Sequence, residues 1–311
     1  MKTIILDQPG QFRLTDTPEP TPPAAGQVLL GVRRIGICGT DLHAFRGKQP
    51  FFSYPRILGH ELGVEVLAVG EGVTNVAPGD RCAVNPYLHC GSCGACRRGK
   101  TNCCEKLQVI GVHTDGGMRE RILLPASHVY PSKKLTYSQL ALVETLGIGC
   151  HAVGRANPKP AERTLVIGAG PIGLTVLEFL RLAGAHCGIL ELSESRREFA
   201  ARMFPGLLLY DSPAAVLSGE LPTLVFDCTG NPQSMANSFQ LVAHGGKLVF
   251  VGLFVGDVTF HDPDFHRREM TLLSSRNARP DEHRRILSLL EEGRIDTSAW
   301  ISDEVPADAM I

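Results

Sequence analysis

The chain has 311 residues, of which 43% are hydrophobic and 20% charged, and its formal net charge is −1. That length predicts two domains, and the near-neutral balance argues against nucleic-acid or membrane partners. No apolar run is long enough to span a bilayer, and the N-terminus reaches Asp7 too early for a secretory signal. We therefore expect the ten cysteines to bind metal or to be buried thiols in the cytoplasm.

Residues 1–150 are predicted to be rich in β-strands. Short runs of branched residues at 28–32 and 63–69 are bounded by glycine and proline, a spacing typical of a barrel or sandwich. Within this region, Cys38 and His60 each lie beside a glycine. Thiolate and imidazole ligands suit zinc, so we predict an open, catalytic zinc site. Val64 stands where a metalloprotease motif would need a second histidine.

A second zinc site is predicted from four closely spaced cysteines, in a lobe at about 88–106. They are Cys90, Cys93, Cys96 and Cys104. Four thiolates around one tetrahedral ion leave no open position, so this site should be structural. Two disulfides are the alternative, which a reducing compartment disfavours. By spacing alone, Cys103 competes with Cys104 for the fourth place.

The second half of the chain alternates strands and helices. A buried strand at 164–167 leads into Gly168, Gly170 and Gly173, and a second strand ends at Glu191. This order is the dinucleotide-binding fingerprint, in which glycines permit a tight turn and bring a pyrophosphate to a helix N-terminus. The predicted fold class is therefore α/β, with a doubly wound parallel sheet beside the β-rich domain.

Glu191 predicts the choice of cofactor. A carboxylate there accepts hydrogen bonds from ribose hydroxyls and repels a 2′-phosphate, which favours NAD over NADP. Arg196 or Arg197 is the alternative partner for a 2′-phosphate, although a solvated helix face is the plainer interpretation of both, and more so of Arg197. Further predicted cofactor contacts, at the helix start and at later strand ends, are Pro171, Ile172, Thr229, Gly230, Gly252, Leu253 and Ser275.

Together these motifs resemble the zinc-dependent medium-chain dehydrogenase/reductase (alcohol dehydrogenase) family over nearly the whole chain. The motifs at 36–41 and 59–61, the cysteine lobe and the glycine fingerprint carry the resemblance. Segments 49–55, 102–106 and 275–277 are most similar to the polyol and sugar-acid branch, closest to enzymes of the L-galactonate 5-dehydrogenase type.

The resemblance implies a GroES-like catalytic domain at 1–150 and a Rossmann NAD-binding domain at 151–283, with the active site in the cleft between them. Residues 284–311 would begin the return to the catalytic domain. The family usually adds a further strand and helix after this point, so the chain is expected to be truncated.

The resemblance also completes both zinc sites. It selects Cys104 as the fourth structural ligand and Glu144 as the third catalytic ligand, so Cys150 is interpreted as a buried thiol. Thr145 stands where the family usually has proline. Glu61 is expected to be an exchangeable ligand or a nearby carboxylate, because permanent binding would weaken zinc as a Lewis acid.

Other side chains have predicted roles in the reaction. Thr40 and His43 would carry the released proton to water, with a backbone cap and a surface imidazole as their plainer interpretations. Asp41 is predicted to be structural. Arg276 is the candidate for a substrate carboxylate, with a cofactor contact or a salt bridge between domains as alternatives. Phe51 would line the pocket or belong to the core.

The predicted function is NAD-dependent oxidation of a secondary alcohol on a polyol or an L-galactonate-like sugar acid. The enzyme would hold one catalytic and one structural zinc ion. The resemblance also implies a dimer or tetramer, because members of the family often pair Rossmann sheets edge to edge, here near 247–273. L-threonine or sorbitol/galactitol-type dehydrogenases are alternatives. A zinc-free reductase would lack the zinc ligands, and a non-enzymatic zinc-binding interaction protein would leave the Rossmann half unexplained.

Overall fold

The computed structural model describes residues 1–49 and 52–311, so the predicted pocket residue Phe51 lies outside the described part of the chain. The chain divides into two compact units. The first comprises Met1–Glu144 and Ala278–Ile311, and the second comprises Thr145–Asn277. The domain boundaries expected from the sequence, at 150 and 283, fall a few residues later. No helix in the described residues is long and apolar enough to cross a membrane.

Short strands dominate the first part of the chain. Its elements are β1 (Lys2–Gln8), β2 (Gln11–Asp16), β3 (Gln27–Gly36), α1 (Gly39–Phe45), β4 (Glu61–Val69), β5 (Arg81–Val84), β6 (Tyr87–Leu88), α2 (Gly94–Arg97), β7 (Gln108–Val109), β8 (Arg121–Pro125), β9 (Val129–Pro131) and α3 (Tyr137–Ala156). An antiparallel sheet has the order β8-β3-β4-β5-β9, while β1 pairs with β2 and β6 pairs with β7.

The core of the first unit lies on this antiparallel sheet. Val28, Leu30, Val64 and Val66 are each at most 1% exposed. Burying an aliphatic side chain of this size contributes roughly 1.5–3 kcal/mol. Packing at the centre of β3 and β4 therefore stabilises the positions of the residues at the ends of these strands.

The second unit has the alternating pattern predicted from its sequence. Its further elements are β10 (Arg163–Ile167), α4 (Pro171–Leu182), β11 (His186–Leu190), α5 (Glu194–Met203), β12 (Leu208–Tyr210), α6 (Pro213–Leu217), β13 (Leu224–Asp227), α7 (Pro232–Asn237), β14 (Lys247–Phe250), α8 (Asp262–Arg267) and β15 (Thr271–Ser274). Six parallel strands have the order β12-β11-β10-β13-β14-β15. The predicted α/β class is confirmed.

The strand order reverses beside β10, which pairs with β11 on one side and β13 on the other. Leu165, Val225 and Leu248, from three neighbouring strands, are buried in the core of this unit. In such sheets, ligands bind at the carboxyl ends of the strands where the order reverses. The fold therefore puts the candidate cofactor loops after β10 and β13.

One further helix, α9 (Pro280–Glu291), belongs to the first unit. Pro280 occupies its first turn, and Glu282 accepts a hydrogen bond from the Arg279 N–H at 2.7 Å, which caps the helix. Its buried face includes His283, which is 0% exposed, and Ile286. This helix thus contributes both apolar packing and a buried imidazole to the first unit.

Candidate active site

Cys38, His60 and Glu61 form a group whose ligand atoms all lie within 4.8 Å of one another. Register explains this proximity, because β3 ends at Gly36 and Gly36 pairs with Glu61, the first residue of β4. A Cβ at Gly36 would lie 2.0 Å from Oε2 of Glu61. Only glycine at this position leaves room for the Glu61 carboxylate in its observed orientation.

Glu144 is not a member of this group of three, but its carboxylate interacts electrostatically with Cys38 and with His60. It is 4% exposed on α3, and its Oε1 accepts a hydrogen bond from the hydroxyl of Tyr87. Burial raises the pKa of Glu144, while His60 and the Tyr87 hydrogen bond oppose this rise. Burial also raises the pKa of Cys38, and Glu144 adds to that rise by its negative charge. The three predicted ligands therefore share one buried electrostatic environment.

The neighbours of His60 act on the pKa of its imidazole. Burial alone would lower this pKa, but Cys38, Asp41 and Glu144 raise it well above the ordinary value. Metal binding at thiolate and imidazole ligands generally releases protons, so a divalent cation would compete with protonation here. The donor set of one thiol, one imidazole and two carboxylates therefore fits zinc.

Asp41 contacts the backbone and approaches the ring of His60. Its Oδ2 accepts a hydrogen bond from the Cys38 N–H at 2.9 Å, and its Oδ1 lies 3.8 Å from Nδ1 of His60. The first contact fixes the turn from β3 into α1. The same helix carries Thr40, which is half-buried, and His43, which is exposed.

The four-cysteine lobe has the geometry of a tetrahedral sulfur site. Sγ of Cys104 lies 3.5 Å from that of Cys90 and 3.9 Å from that of Cys93. With Zn–S bonds of about 2.3 Å, the edges of a sulfur tetrahedron are roughly 3.8 Å. Cys96 completes the group, and none of the ten cysteines forms a disulfide. Cys103 is exposed and lies outside the group of four.

Backbone N–H groups point at the lobe sulfurs. The N–H of Cys93 donates to Sγ of Cys90, and the N–H of Lys106 donates to Sγ of Cys104, both at 3.3 Å. Hydrogen bonds from Ser92 and from the Cys93 N–H lower the pKa of Cys90 to about 5. Burial and the neighbouring Cys93 and Cys104 instead raise the pKa of Cys96 to about 12. Within the lobe, Cys90 is therefore a thiol that favours the thiolate, which is the form that binds metal.

Cys150, the alternative ligand by composition, is buried on α3. It belongs to neither of the ligand groups found among the described residues. Its burial agrees with the interpretation as a structural thiol.

The glycine fingerprint forms a tight turn between β10 and α4. Gly168 has φ +95°, and a Cβ at Gly173 would lie 1.8 Å from the carbonyl oxygen of Gly168. Gly170 caps α4, with Pro171 in the first turn and Ile172 next, and a Cβ at Gly170 would meet no atom within 4 Å. The turn therefore leaves open space at the start of a helix of 12 residues, as pyrophosphate binding requires.

Glu191 is fixed beside this turn. Its carboxylate accepts hydrogen bonds from the N–H groups of Ala169 and Ser193, both at 2.8 Å. Arg197 donates to the carbonyl oxygen of Glu191 at 2.6 Å, whereas Arg196 is exposed. Arg197 thus supports the backbone after β11, and Arg196 is the more accessible guanidinium.

The loops after β13 and β14 pack against each other. A Cβ at Gly252 would lie 2.2 Å from the N atom of Gly230, and Leu253 beside it is 69% exposed. Thr229 donates through both its N–H and its hydroxyl to Asp227, at 2.9 and 2.6 Å. These predicted cofactor residues therefore share the carboxyl edge of the sheet.

Two further predicted residues follow β15. The N–H of Ser275 donates to the carbonyl oxygen of Phe250 at 2.8 Å, which attaches this segment to β14. Arg276, the candidate for a substrate carboxylate, is exposed.

Comparison with known proteins agrees with this arrangement. The alcohol dehydrogenase GroES-like domain matches residues 24–134, and the zinc-binding dehydrogenase domain matches residues 171–292. L-galactonate-5-dehydrogenase of Escherichia coli is 40% identical over 98% of this chain and 92% of its own length. The chain belongs to the zinc-dependent alcohol dehydrogenase family.

Two further proteins are similar to this chain over nearly its whole length. D-altritol 5-dehydrogenase of Agrobacterium fabrum is 31% identical over 100% of this chain and 94% of its own length. A crystal structure from Escherichia coli, described as a short chain alcohol dehydrogenase with NADH, has a TM-score of 0.92 at 29% identity and covers 100% of this chain and 93% of that one. The predictions of a GroES-like domain, a Rossmann domain and a dehydrogenase are confirmed, and the non-enzymatic alternative is wrong.

Tyr87 is the contact of this site that sequence reasoning missed. It lies just before the cysteine lobe, and no motif or spacing joins it to Glu144. Its hydroxyl becomes conspicuous only when β6 and α3 are placed together in three dimensions.

Proposed function

We propose that this alcohol dehydrogenase oxidises a secondary alcohol of a sugar acid, of the L-galactonate type, with NAD as hydride acceptor. The observation that supports this most is the buried group of Cys38, His60 and Glu61 in a chain 40% identical to an L-galactonate-5-dehydrogenase. Bound zinc would supply a Lewis acid that makes the substrate hydroxyl easier to deprotonate. Bound NAD would supply the nicotinamide that accepts the hydride.

Cys38, His60 and Glu144 would hold the catalytic zinc. One thiolate, one neutral imidazole and one carboxylate offset the charge of the ion while leaving a position for substrate. Glu61 lies close enough to act as an exchangeable ligand, since its carboxylate belongs to the group within 4.8 Å. Cys90, Cys93, Cys96 and Cys104 would hold the structural zinc.

The proton released from the substrate would leave along α1. Thr40 and His43 lie three residues apart, a spacing that puts both on one helix face. The half-buried hydroxyl of Thr40 would accept the proton first, and the exposed imidazole of His43 would pass it to water.

The preference for NAD rests on the carboxylate of Glu191 beside the glycine turn. Replacing it in the Glu191→Ala variant removes the acceptor for the ribose hydroxyls. We expect KM for NAD to rise about tenfold, the cost of roughly 1.4 kcal/mol of hydrogen bonding to a charged group. KM for NADP should change much less, and equal losses for both cofactors would contradict the assignment.

For the sugar acid, we propose that the Arg276 guanidinium binds the carboxylate, because its planar donors match two carboxylate oxygens. The test is a panel of aldonates, hexitols and L-threonine with NAD, followed by the absorbance of reduced nicotinamide, together with zinc analysis. We expect two zinc ions per chain and the fastest turnover with L-galactonate or a close aldonate. Turnover of L-threonine or of uncharged hexitols alone would favour the alternative dehydrogenases.

We further propose a homo-oligomer in the cytoplasm. The edge strand β15 is largely exposed and includes Leu272 at 38% exposure, so it offers an edge for pairing with a second copy. Sedimentation velocity distinguishes the dimer or tetramer from a monomer. The four clustered cysteines of the lobe, which suit a metal ion, support a reducing compartment.

A further inference from the structure

Tyr87 is held in place from several directions within the first unit. Its N–H donates to Oδ1 of Asn85 at 3.0 Å, and its carbonyl oxygen lies 3.3 Å from Nδ1 of His89. β6 and β7 pair Tyr87 with Val109. The edge of its ring faces the ring of His283, with centroids 6.4 Å apart at 74°. The position of its hydroxyl is therefore set by backbone, sheet and α9.

That hydroxyl reaches one carboxylate oxygen of a proposed zinc ligand. Tyr87 is 4% exposed and Glu144 is 4% exposed, so water competes little for this hydrogen bond. A phenol is protonated at neutral pH and an ionised carboxylate only accepts, so Tyr87 is the donor. Oε1 of Glu144 is thereby engaged by the hydroxyl of Tyr87.

We propose that Tyr87 is a positioning residue that engages Oε1 of Glu144 and so limits this carboxylate to one bond with the catalytic zinc. The inference rests on the proposed function of Glu144 as a ligand. A carboxylate that gave both oxygens would fill the position that a catalytic zinc site keeps open for substrate. Partners that orient ligands in this way commonly change metal affinity or activity about 10–100-fold when they are removed.

The Tyr87→Phe variant tests this idea because it keeps the ring against His283 and removes only the hydroxyl. The probe is Co²⁺ in place of zinc in the full chain, whose visible absorption is intense at four-coordinate sites and weak at higher coordination. The Cys38→Ser variant provides the spectrum of the cysteine lobe alone, to be subtracted. We expect the remaining signal to lose intensity in Tyr87→Phe, and kcat to fall about tenfold.

Tyr130→Phe is the matched control. Tyr130 stacks on the same His283 ring, with centroids 5.6 Å apart, and its buried hydroxyl interacts with the side chain of Asn85, not with Glu144. Its cobalt spectrum and kcat should equal those of the wild type. An equal loss in both variants would show a packing effect and overturn the proposal, as would an unchanged spectrum in Tyr87→Phe.

A double-mutant cycle separates positioning from other effects. If Tyr87 acts through Glu144, adding Tyr87→Phe to Glu144→Gln should produce no further change in the cobalt spectrum. Additive changes would overturn the inference. A wild-type cobalt signal identical to that of Cys38→Ser would instead contradict the proposed catalytic site itself, and the inference with it.

Discussion

The two ligand groups of the first unit, the cysteine lobe and the open group of Cys38, His60 and Glu61, differ in where their side chains come from and in their pKa shifts. The cysteine lobe draws its four sulfurs from one short segment, and backbone N–H groups lower the pKa of Cys90 to about 5 near the surface. The open group draws Cys38 from the turn between β3 and α1, and His60 and Glu61 from the start of β4, while burial raises the pKa of Cys38. The lobe can therefore form locally, whereas the open group depends on the packing of the whole unit.

This contrast separates stability from chemistry. A closed set of four thiolates has no place for a substrate, so its metal contributes to folding. The open group combines a thiol, an imidazole and carboxylates at a buried position where a cation offsets negative charge. Loss of a ligand from the open group should therefore lower activity, whereas loss of a ligand from the cysteine lobe should lower stability.

The largest expected effect is on the open group. Cys38→Ser removes the thiolate, so we expect turnover to fall at least about 1,000-fold while the chain keeps one zinc ion at the lobe. Steady-state kinetics and zinc analysis of the same sample measure both quantities. Retained turnover, or loss of both zinc ions, would contradict the separation of the two sites.

The next effect is on the lobe. Cys93→Ser leaves three sulfurs for the structural ion, and we expect the free energy of unfolding to fall on the order of 4 kcal/mol because a metal site is lost. Urea titration measures this change. The kcat of the molecules that remain folded should be close to that of the wild type, and a selective loss of kcat would show that the lobe takes part in chemistry.

A smaller effect concerns His128, whose ring lies 5.2 Å from that of His89 beside the lobe. Burial, together with the nearby His89 and His283, lowers the pKa of His128 to about 4. The unfolded chain binds this proton near pH 6.5. The contribution of His128 to stability is therefore complete above pH 6.5 and decreases as the pH falls towards 4.

In the His128→Gln variant this pH-dependent contribution disappears. Between pH 7 and pH 5, the wild type should lose about 2 kcal/mol more unfolding free energy than the variant. Urea titrations of both proteins at both pH values measure the difference, and any effect of acid on zinc binding is common to the two. Parallel losses would mean that His128 is not buried as a neutral imidazole.

Much of the fold could be predicted from local patterns. Short runs of β-branched residues bounded by glycine and proline indicated strands in the first part of the chain. The order of strand, glycine turn, helix and acidic residue at 164–191 indicated the parallel sheet. Such features depend on residues close in the chain. The boundary at Glu144 could not be obtained in this way, because α3 (Tyr137–Ala156) runs through it without a break in sequence pattern.

The candidate site shows the same division. The sequence alone determined which residue types are present and how the lobe cysteines are spaced, since ligand spacing within one segment is a local property. Only the tertiary structure decided that Gly36 makes room for Glu61 and that Tyr87 reaches Glu144. Each of these depends on sheet register, burial or packing between segments that are distant in the sequence. A local sequence pattern therefore cannot predict them.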